Sequence, residues 1–322
     1  MEHLPVLLEE VLEGLALRPD GYYVDGTFGR GGHSRAILAR LGPAGRLLAL
    51  DRDPQAIAAA ASLCADARFQ VRQLPFARLR EALADFAPDG VDGILLDLGI
   101  SSPQIDQPER GFSFRHDGPL DMRMDPTAGQ SAAEYLAHVS VEALATVLRD
   151  LGEERHALRI ARAIVAARDQ GALTSTRQLA VLVAEAVPKG KPGIDPATRT
   201  FQALRIQVNG ELDQLDAVLQ QVLGALRPAG RLAIISFHSL EDRKVKQFIA
   251  RHSRPPEIPA GLAVREDERP LPPLRAIGRA MMAGATEVAR NPRARSAVLR
   301  LAERTAAAWA GTADPAARMR AP

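Results

Sequence analysis

The chain has one cysteine, Cys64, among 322 residues. A disulfide framework needs pairs and a cysteine metal site needs several, so both are excluded. Seven histidines are present, but none stands at paired ligand spacing, and no metal is expected. No apolar run approaches the roughly 20 residues that span a bilayer. The N-terminus, Met1-Glu2-His3-Leu4-Pro5, lacks the basic-then-apolar order of a secretory leader. These absences predict a cytoplasmic protein with no membrane partner. A large charge of one sign is missing too, since the formal net charge is only +2. The charge is uneven, however. Residues 241–322 hold 16 Lys and Arg against 9 Asp and Glu. A basic C-terminal third suits a polyanionic partner, although arginine-rich tails are often only solvated surface.

What is present reads as an ordinary globular protein, 46% hydrophobic and 25% charged, long enough for one large or two medium domains. Residues 24 to 34, Val-Asp-Gly-Thr-Phe-Gly-Arg-Gly-Gly-His-Ser, are the most informative. An apolar run ends in Asp25, glycines follow at 26, 29, 31 and 32, and a helical pattern begins at His33. Strand, glycine turn and helix in that order let a ligand approach the backbone closely. The next strand-like run ends in Asp51, where a ribose-binding carboxylate sits in nucleotide-binding α/β folds.

Two cofactors compete for this turn. Gly29 to Ser34 almost fits the dinucleotide pattern G-x-G-x-x-G, except that Ser34 takes the last place. Asp25 argues for the other. A dinucleotide leaves the helix N-terminus to pyrophosphate, and an adjacent carboxylate repels that anion. S-adenosylmethionine carries an ammonium that an acid here can meet, directly or through water. Asp25 also has a bland role open to it, as a cap of the turn.

Strand patterns at Tyr22 to Asp25, Arg46 to Asp51, Phe69 to Gln73 and Gly93 to Asp97 alternate with helical patterns at His33 to Leu41, Pro54 to Ala65 and Phe76 to Phe86. This predicts an α/β fold with a mostly parallel sheet covered on both faces. Asp25, Asp51 and Asp97 each end a strand, so all three should border one crevice at the carboxyl edge. The alternation stops at an irregular stretch, residues 103 to 130. Helices are predicted at Ala132 to His138, Val141 to Leu151, Glu153 to Asp169 and Thr176 to Val187. Gly152 and Gly171 fit helix ends, and Ser175 with Gln178 fits a capping box. A long helix, Phe201 to Leu226, precedes the returning strand at Gly230 to Phe237, with further strands at Leu274 to Ile277 and Ala297 to Ala302. The domains expected are therefore residues 1–105 with 201–322, holding the cofactor, and an all-helical insert, residues 106–200, for substrate recognition.

Several motifs occur in one order. They are His3 to Leu8, the glycine turn, Asp51-Arg52-Asp53-Pro54, Asp97 to Gln104, Arg110-Gly-Phe-Ser-Phe114 and Asp117 to Met124. Pro196 to Arg205, Ser236 to Arg243 and Asn291 to Ser296 follow. In these the chain resembles the bacterial small-subunit (16S) ribosomal RNA cytosine-N4 methyltransferases, the RsmH or MraW family, from His3 to about Arg304. Asp195 departs from the pattern, which has histidine there.

The resemblance implies a class I S-adenosylmethionine-dependent methyltransferase fold with an inserted helical domain. It implies methylation of N4 of a cytidine in the decoding centre of 16S ribosomal RNA, as part of an assembled small subunit. Its cofactor contacts map onto Gly31, Gly32, His33, Asp51, Phe76, Asp97 and Gln104, beside Asp25 from the reading above. Asp97, Ser101 and His238 are the candidate catalytic residues. Arg123, Arg199, Arg205 and Arg243, all within shared motifs, are the candidate RNA contacts. Each has a plainer alternative: His33 could satisfy backbone, Phe76 could be core, His238 could hold a turn, and the arginines could be surface charge. Arg155, Arg159 and Arg162 share a helix face, which reads as a solvated face.

Overall fold

The computed structural model describes residues 5–188, 195–255, 265 and 271–308. The chain opens with α1 (Leu8–Leu15), then β1 (Tyr22–Asp25), α2 (Gly32–Arg40), β2 (Arg46–Asp51), α3 (Pro54–Ala59), β3 (Phe69–Gln73), α4 (Leu79–Leu83) and β4 (Val91–Asp97). The first three strands coincide with their predicted spans, and β4 begins two residues earlier. Helix α3 is shorter than predicted: after Ala59 it tightens into a 3-10 turn, Ala60–Ser62. Asp53 caps α3 through Gln55 N–H at 2.9 Å, with Pro54 at the first helical position. Helix α1 was not anticipated. Val11, Leu12 and Leu15 bury its apolar side.

Next come α5 (Ser102–Asp106), α6 (Ala132–His138), α7 (Val141–Gly152), α8 (Ala157–Gln170), α9 (Thr176–Ala186) and α10 (Thr198–Asn209). The chain returns through α11 (Glu211–Ala225), β5 (Leu226–Ser236), α12 (Ser239–His252), β6 (Leu274–Met282), α13 (Ala285–Arg290) and β7 (Val298–Arg304). The predicted helix Phe201 to Leu226 is thus two helices. Gly210 divides them, in the left-handed region at φ 58°, where glycine bears no Cβ penalty.

Two units result, residues 1–99 with 213–322, and residues 100–212. The sequence reading ended the insert at residue 200, whereas the second unit includes all of α10. In the first unit the seven strands run β3-β2-β1-β4-β5-β7-β6. All pairings from β3 to β5 are parallel, and β7 lies antiparallel to both β5 and β6. Neighbouring residues of a strand face opposite layers. Leu48, Leu50, Ile94 and Leu96 join one buried cluster, while Leu47, Ala49, Leu95 and Ile235 join the other. Burial on both faces explains the nearly unbroken apolar runs of β2 and β4.

The second unit has its own core, with Leu144, Leu148, Ile160, Ile164, Leu179, Val183, Phe201 and Leu204 at its centre. The predicted capping box at Ser175 and Gln178 is present. Gly152 is the last residue of α7, as expected, with Glu153 beyond it in the left-handed region at φ 49°. It is also a close-approach residue: a Cβ there would stand 2.6 Å from the Arg199 carbonyl oxygen. One expectation is corrected: α8 starts at Ala157, leaving Arg155 in the turn ahead of it. The irregular stretch 103 to 130 is held by two buried side chains. Arg110 Nη2 donates to the carbonyls of Arg123 and Met124, and Asn209 bridges Met122 O and Met124 N–H. Among the described residues, no helix is long and apolar enough to cross a membrane.

Candidate active site

The carboxyl edge of the central strands gathers the acids. Asp25 closes β1 and is almost wholly buried. Its Oδ2 accepts from Ser34 Oγ at 2.6 Å and its Oδ1 from Thr27 N–H at 3.1 Å. Burial pushes its carboxyl above the ordinary range, with Ser34, His33 and Thr27 opposing. Asp51 closes β2. Its Oδ2 accepts from Gly29 N–H and its Oδ1 from Asp53 N–H, at 2.8 and 2.9 Å. Burial still pushes it up to about 6. The sequence order of glycines explains the geometry: Gly29 and Gly31 both adopt positive φ, which turns the backbone N–H of Gly29 back onto Asp51. Phe76 follows β3 and lies beside the same turn, its Cβ 3.3 Å from where a Cβ on Gly26 would sit.

Asp97 closes β4, next to β1 on one side and β5 on the other. Its backbone N–H donates to Thr27 Oγ1 at 2.6 Å. Its carboxylate is less well satisfied. Oδ2 lies 3.6 Å from His33 Nδ1, and Oδ1 is buried with no hydrogen-bond partner among the described residues. Burial pushes this carboxyl up to about 6, with His33 opposing and the charges of Asp25 and Glu241 adding. His33 is buried at the start of α2 and its Nε2 stands 3.0 Å from the Val6 carbonyl. A carbonyl can only accept, so Nε2 carries the hydrogen. The Nδ1 of neutral His33 then presents a lone pair to Asp97, and a proton on either partner makes the contact attractive.

Beyond β5, His238 leads into α12 with its ring nine-tenths buried. Its Nε2 is 3.2 Å from Glu241 Oε1 without hydrogen-bond alignment, so both ring nitrogens are buried and unpartnered among the described residues. Ser236 Oγ, at the end of β5, is a further unpartnered buried atom. Asp97 is in register with Ile235, so the strands that carry these groups end side by side. Buried polar atoms without partners are uncommon and call for an explanation such as a ligand.

The other site candidates belong to the second unit. Ser101 N–H donates to Gln104 Oε1 at 2.9 Å across the first turn of α5. Arg123 forks onto Asp121 at 2.7 and 2.8 Å, and Arg205 onto Glu211 with both contacts at 2.8 Å. Arg199 is exposed, and in the first unit so is Arg243 on α12. Sequence reasoning missed Thr27, Ser34, Ser236 and Glu241. The signals were there: Thr27 and Ser34 flank the glycine turn, and Glu241 falls three residues after His238, where a first-turn glutamate reaches back. Its Oε2 accepts from Phe237 N–H at 2.9 Å.

Three acids gathered at the carboxyl edge of the sheet, one with an oxygen that makes no hydrogen bond among the described residues, suit a ligand that brings a cation and disfavour one that brings pyrophosphate. The sheet order, the antiparallel seventh strand and this acid-lined glycine turn define an S-adenosylmethionine-dependent methyltransferase of class I. More narrowly, the chain belongs to the MraW methylase family, which matches residues 1–305. It is 59% identical over 306 residues to the "Ribosomal RNA small subunit methyltransferase H" of Methylobacillus flagellatus, covering 95% of each chain. It is 56% identical over 309 residues to the protein of the same name from Burkholderia mallei, covering 95% of this chain and 98% of that one.

Proposed function

We propose that the protein methylates the exocyclic N4 amine of a cytidine in the decoding centre of 16S ribosomal RNA, within an assembled small subunit in the cytoplasm. The observation that carries this reading is the near full-length identity to proteins named as small-subunit ribosomal RNA methyltransferases. The choice of N4 and of the decoding centre rests on the motif resemblance. When bound, S-adenosylmethionine supplies a methyl group already activated on a sulfonium centre, so the protein's main task is positioning.

Asp51 keeps acceptor capacity beyond its two backbone donors and is assigned the ribose hydroxyls. Gly31, Gly32 and His33 form the close-approach wall, Asp25 holds the turn in an acidic field, and Phe76 is assigned the adenine face. Asp97 Oδ1 is assigned the ammonium, because a buried acceptor without a partner gains most from a cationic donor. Gln104 keeps its cofactor role from the sequence resemblance. His238, buried past β5 beside Glu241 with no hydrogen bond among the described residues, is assigned to the target amine, whose lone pair is delocalised into the ring and benefits from an acceptor on N4–H. Ser101 is assigned as a second acceptor on sequence grounds. A strong base is unnecessary, because the methylated cationic amine loses its proton readily. Arg199 remains the favoured phosphate contact, and Arg243 is kept as a candidate on the motif resemblance. Arg123 and Arg205 are each matched to a carboxylate and offer phosphate less net charge.

Small subunits from a strain lacking the relative of this protein should take up one methyl group from labelled S-adenosylmethionine. Mass mapping should place it on N4 of a single cytidine. Transfer to a ring carbon, to a ribose or to large-subunit RNA would overturn the assignment.

A further inference from the structure

The three arginines that read as a solvated face in the sequence lie on a stretch of chain that carries few acids of its own. Ala157, Ile160, Ala161 and Ile164 turn one side of α8 into the unit's core. Leu158, Arg159 and Arg162 are exposed on α8, and Arg155 is exposed in the turn just ahead of it. Among the described residues, Arg155, Arg159 and Arg162 make no ion pair and no hydrogen bond. Arg199, at the start of α10, adds a fourth exposed guanidinium beside them, since its Nη1 donates to the Glu153 carbonyl at 3.2 Å, two residues ahead of Arg155.

A solvated helix face normally interleaves opposite charges at three and four residues, because each like-charged pair costs a few tenths of a kcal/mol. Helix α8 does not. Its one acid, Asp169, lies at the far end and pairs with Arg168. Of the two acids just ahead of α8, Glu154 is buried and accepts from His156 N–H, leaving Glu153 as the exposed one. From Glu153 to Arg162, with Arg199, four exposed guanidinium groups meet one exposed carboxylate, an excess of positive charge that an anion would relieve. Guanidinium forks match phosphate oxygens in pairs. A membrane surface fits less well: interfacial helices present a broad apolar face to lipid, and the apolar face of α8 is already buried, leaving Leu158 as its one exposed large apolar residue.

We propose that the exposed face of α8, from Arg155 to Arg162 with Arg199 beside it, docks on the phosphodiester backbone of the substrate RNA. The proposal rests on the reading of the substrate as ribosomal RNA. It adds a surface that grips folded RNA by charge, apart from the residues assigned to the cofactor and the target base.

The test is equilibrium binding to unmethylated small subunits across a salt series. The native protein is compared with the triple variant Arg155→Ala, Arg159→Ala, Arg162→Ala and with the corresponding triple lysine variant. Each phosphate contact adds about 0.7–0.9 to the slope of log K against log salt. The alanine variant should therefore lose about 2 from the slope and bind at least about tenfold more weakly at low salt. Its S-adenosylmethionine affinity and thermal midpoint should stay native, and the lysine variant should recover most of the slope. An alanine variant with native slope and native affinity overturns the proposal while leaving the substrate reading intact. So does one that keeps subunit binding but loses binding to anionic phospholipid vesicles. If the native protein binds S-adenosylmethionine but neither binds nor methylates small subunits, the substrate reading and this proposal fall together.

Discussion

His33 Nδ1 and Asp97 Oδ2 face each other across 3.6 Å, while the opposite edge of the same imidazole is fixed on the Val6 carbonyl. The proton on Asp97 therefore sets the charge at the end of β4, where its second oxygen has no hydrogen-bond partner among the described residues.

The pH dependence of cofactor binding follows from this arrangement. Burial penalises the charged form of Asp97 and pushes its carboxyl up to about 6. A cationic ligand favours the ionised carboxylate, so affinity for S-adenosylmethionine should be full above pH 6 and fall as pH drops below it. Calorimetry in buffers of different ionisation enthalpy should register proton release near pH 6, and Asp97→Asn should abolish it. The stability of the ligand-free protein carries the opposite sign. Asp51 and Asp97 hold protons more tightly when folded than their ordinary value of 3.8. These two groups favour the fold as pH falls from about 6 toward 4 and oppose it as pH rises through 6.

Asp51→Ala should weaken S-adenosylmethionine binding by about 1.5–3 kcal/mol, the range for a charged hydrogen bond. Titration calorimetry at pH 7.5 measures it. Unchanged affinity would remove Asp51 from the ribose.

Single-turnover methylation at saturating S-adenosylmethionine separates the two groups beyond β4 and β5. Asp97→Ala should abolish turnover. His238→Ala and Ser101→Ala should each lower kcat with cofactor affinity little changed. Native rates in both of the latter would leave backbone positioning to account for the reaction.

Gly152→Ala should lower the stability of the helical unit, although alanine is the better helix former by about 1 kcal/mol. The new Cβ would meet the Arg199 carbonyl at 2.6 Å, and overpacking against backbone costs about 1–3 kcal/mol. A urea midpoint raised by the substitution would contradict the close-approach role.

Arg205→Ala should act on folding as well as on RNA. The Arg205–Glu211 pair is 13% and 9% exposed, and removing one partner of a buried pair costs about 3–5 kcal/mol. Arg199→Ala, at an exposed position, should leave the denaturation midpoint near native. Equal midpoints for the two variants would argue that the Arg205 pair is solvated in solution.

Strands β1, β2 and β4 were legible because each ends in an acid after an apolar run, and that pattern is local. The three acids of the crevice were legible for the same reason. Less visible were features decided by what packs against them. Gly152 looks like a cap in sequence, and only the passage of α10 over it reveals the close approach. The break at Gly210 hides within a helical apolar period that continues on both sides. Arg123 and Arg205 stand in conserved-looking basic motifs, but their charge is matched by Asp121, two residues before Arg123, and by Glu211, six residues after Arg205. The shortage of acids on α8 was readable in the sequence. What the sequence withheld was which side of the helix faces water.

Strand β4 finds its next partner, β5, only after the whole second unit has been made. At roughly 5–20 residues per second, the ribosome takes several seconds or more to supply it. During that time β1 to β3 can already be paired, and β4 offers one open hydrogen-bonding edge. The helical unit, rich in local contacts, has time to fold before the sheet closes. An edge strand in waiting is where a nascent sheet pairs with the wrong neighbour. Early completion of the insert keeps intervening chain collapsed and shortens the effective search for β5. Synthesis of this protein thus places the joining of β4 to β5 after the whole helical unit has been made.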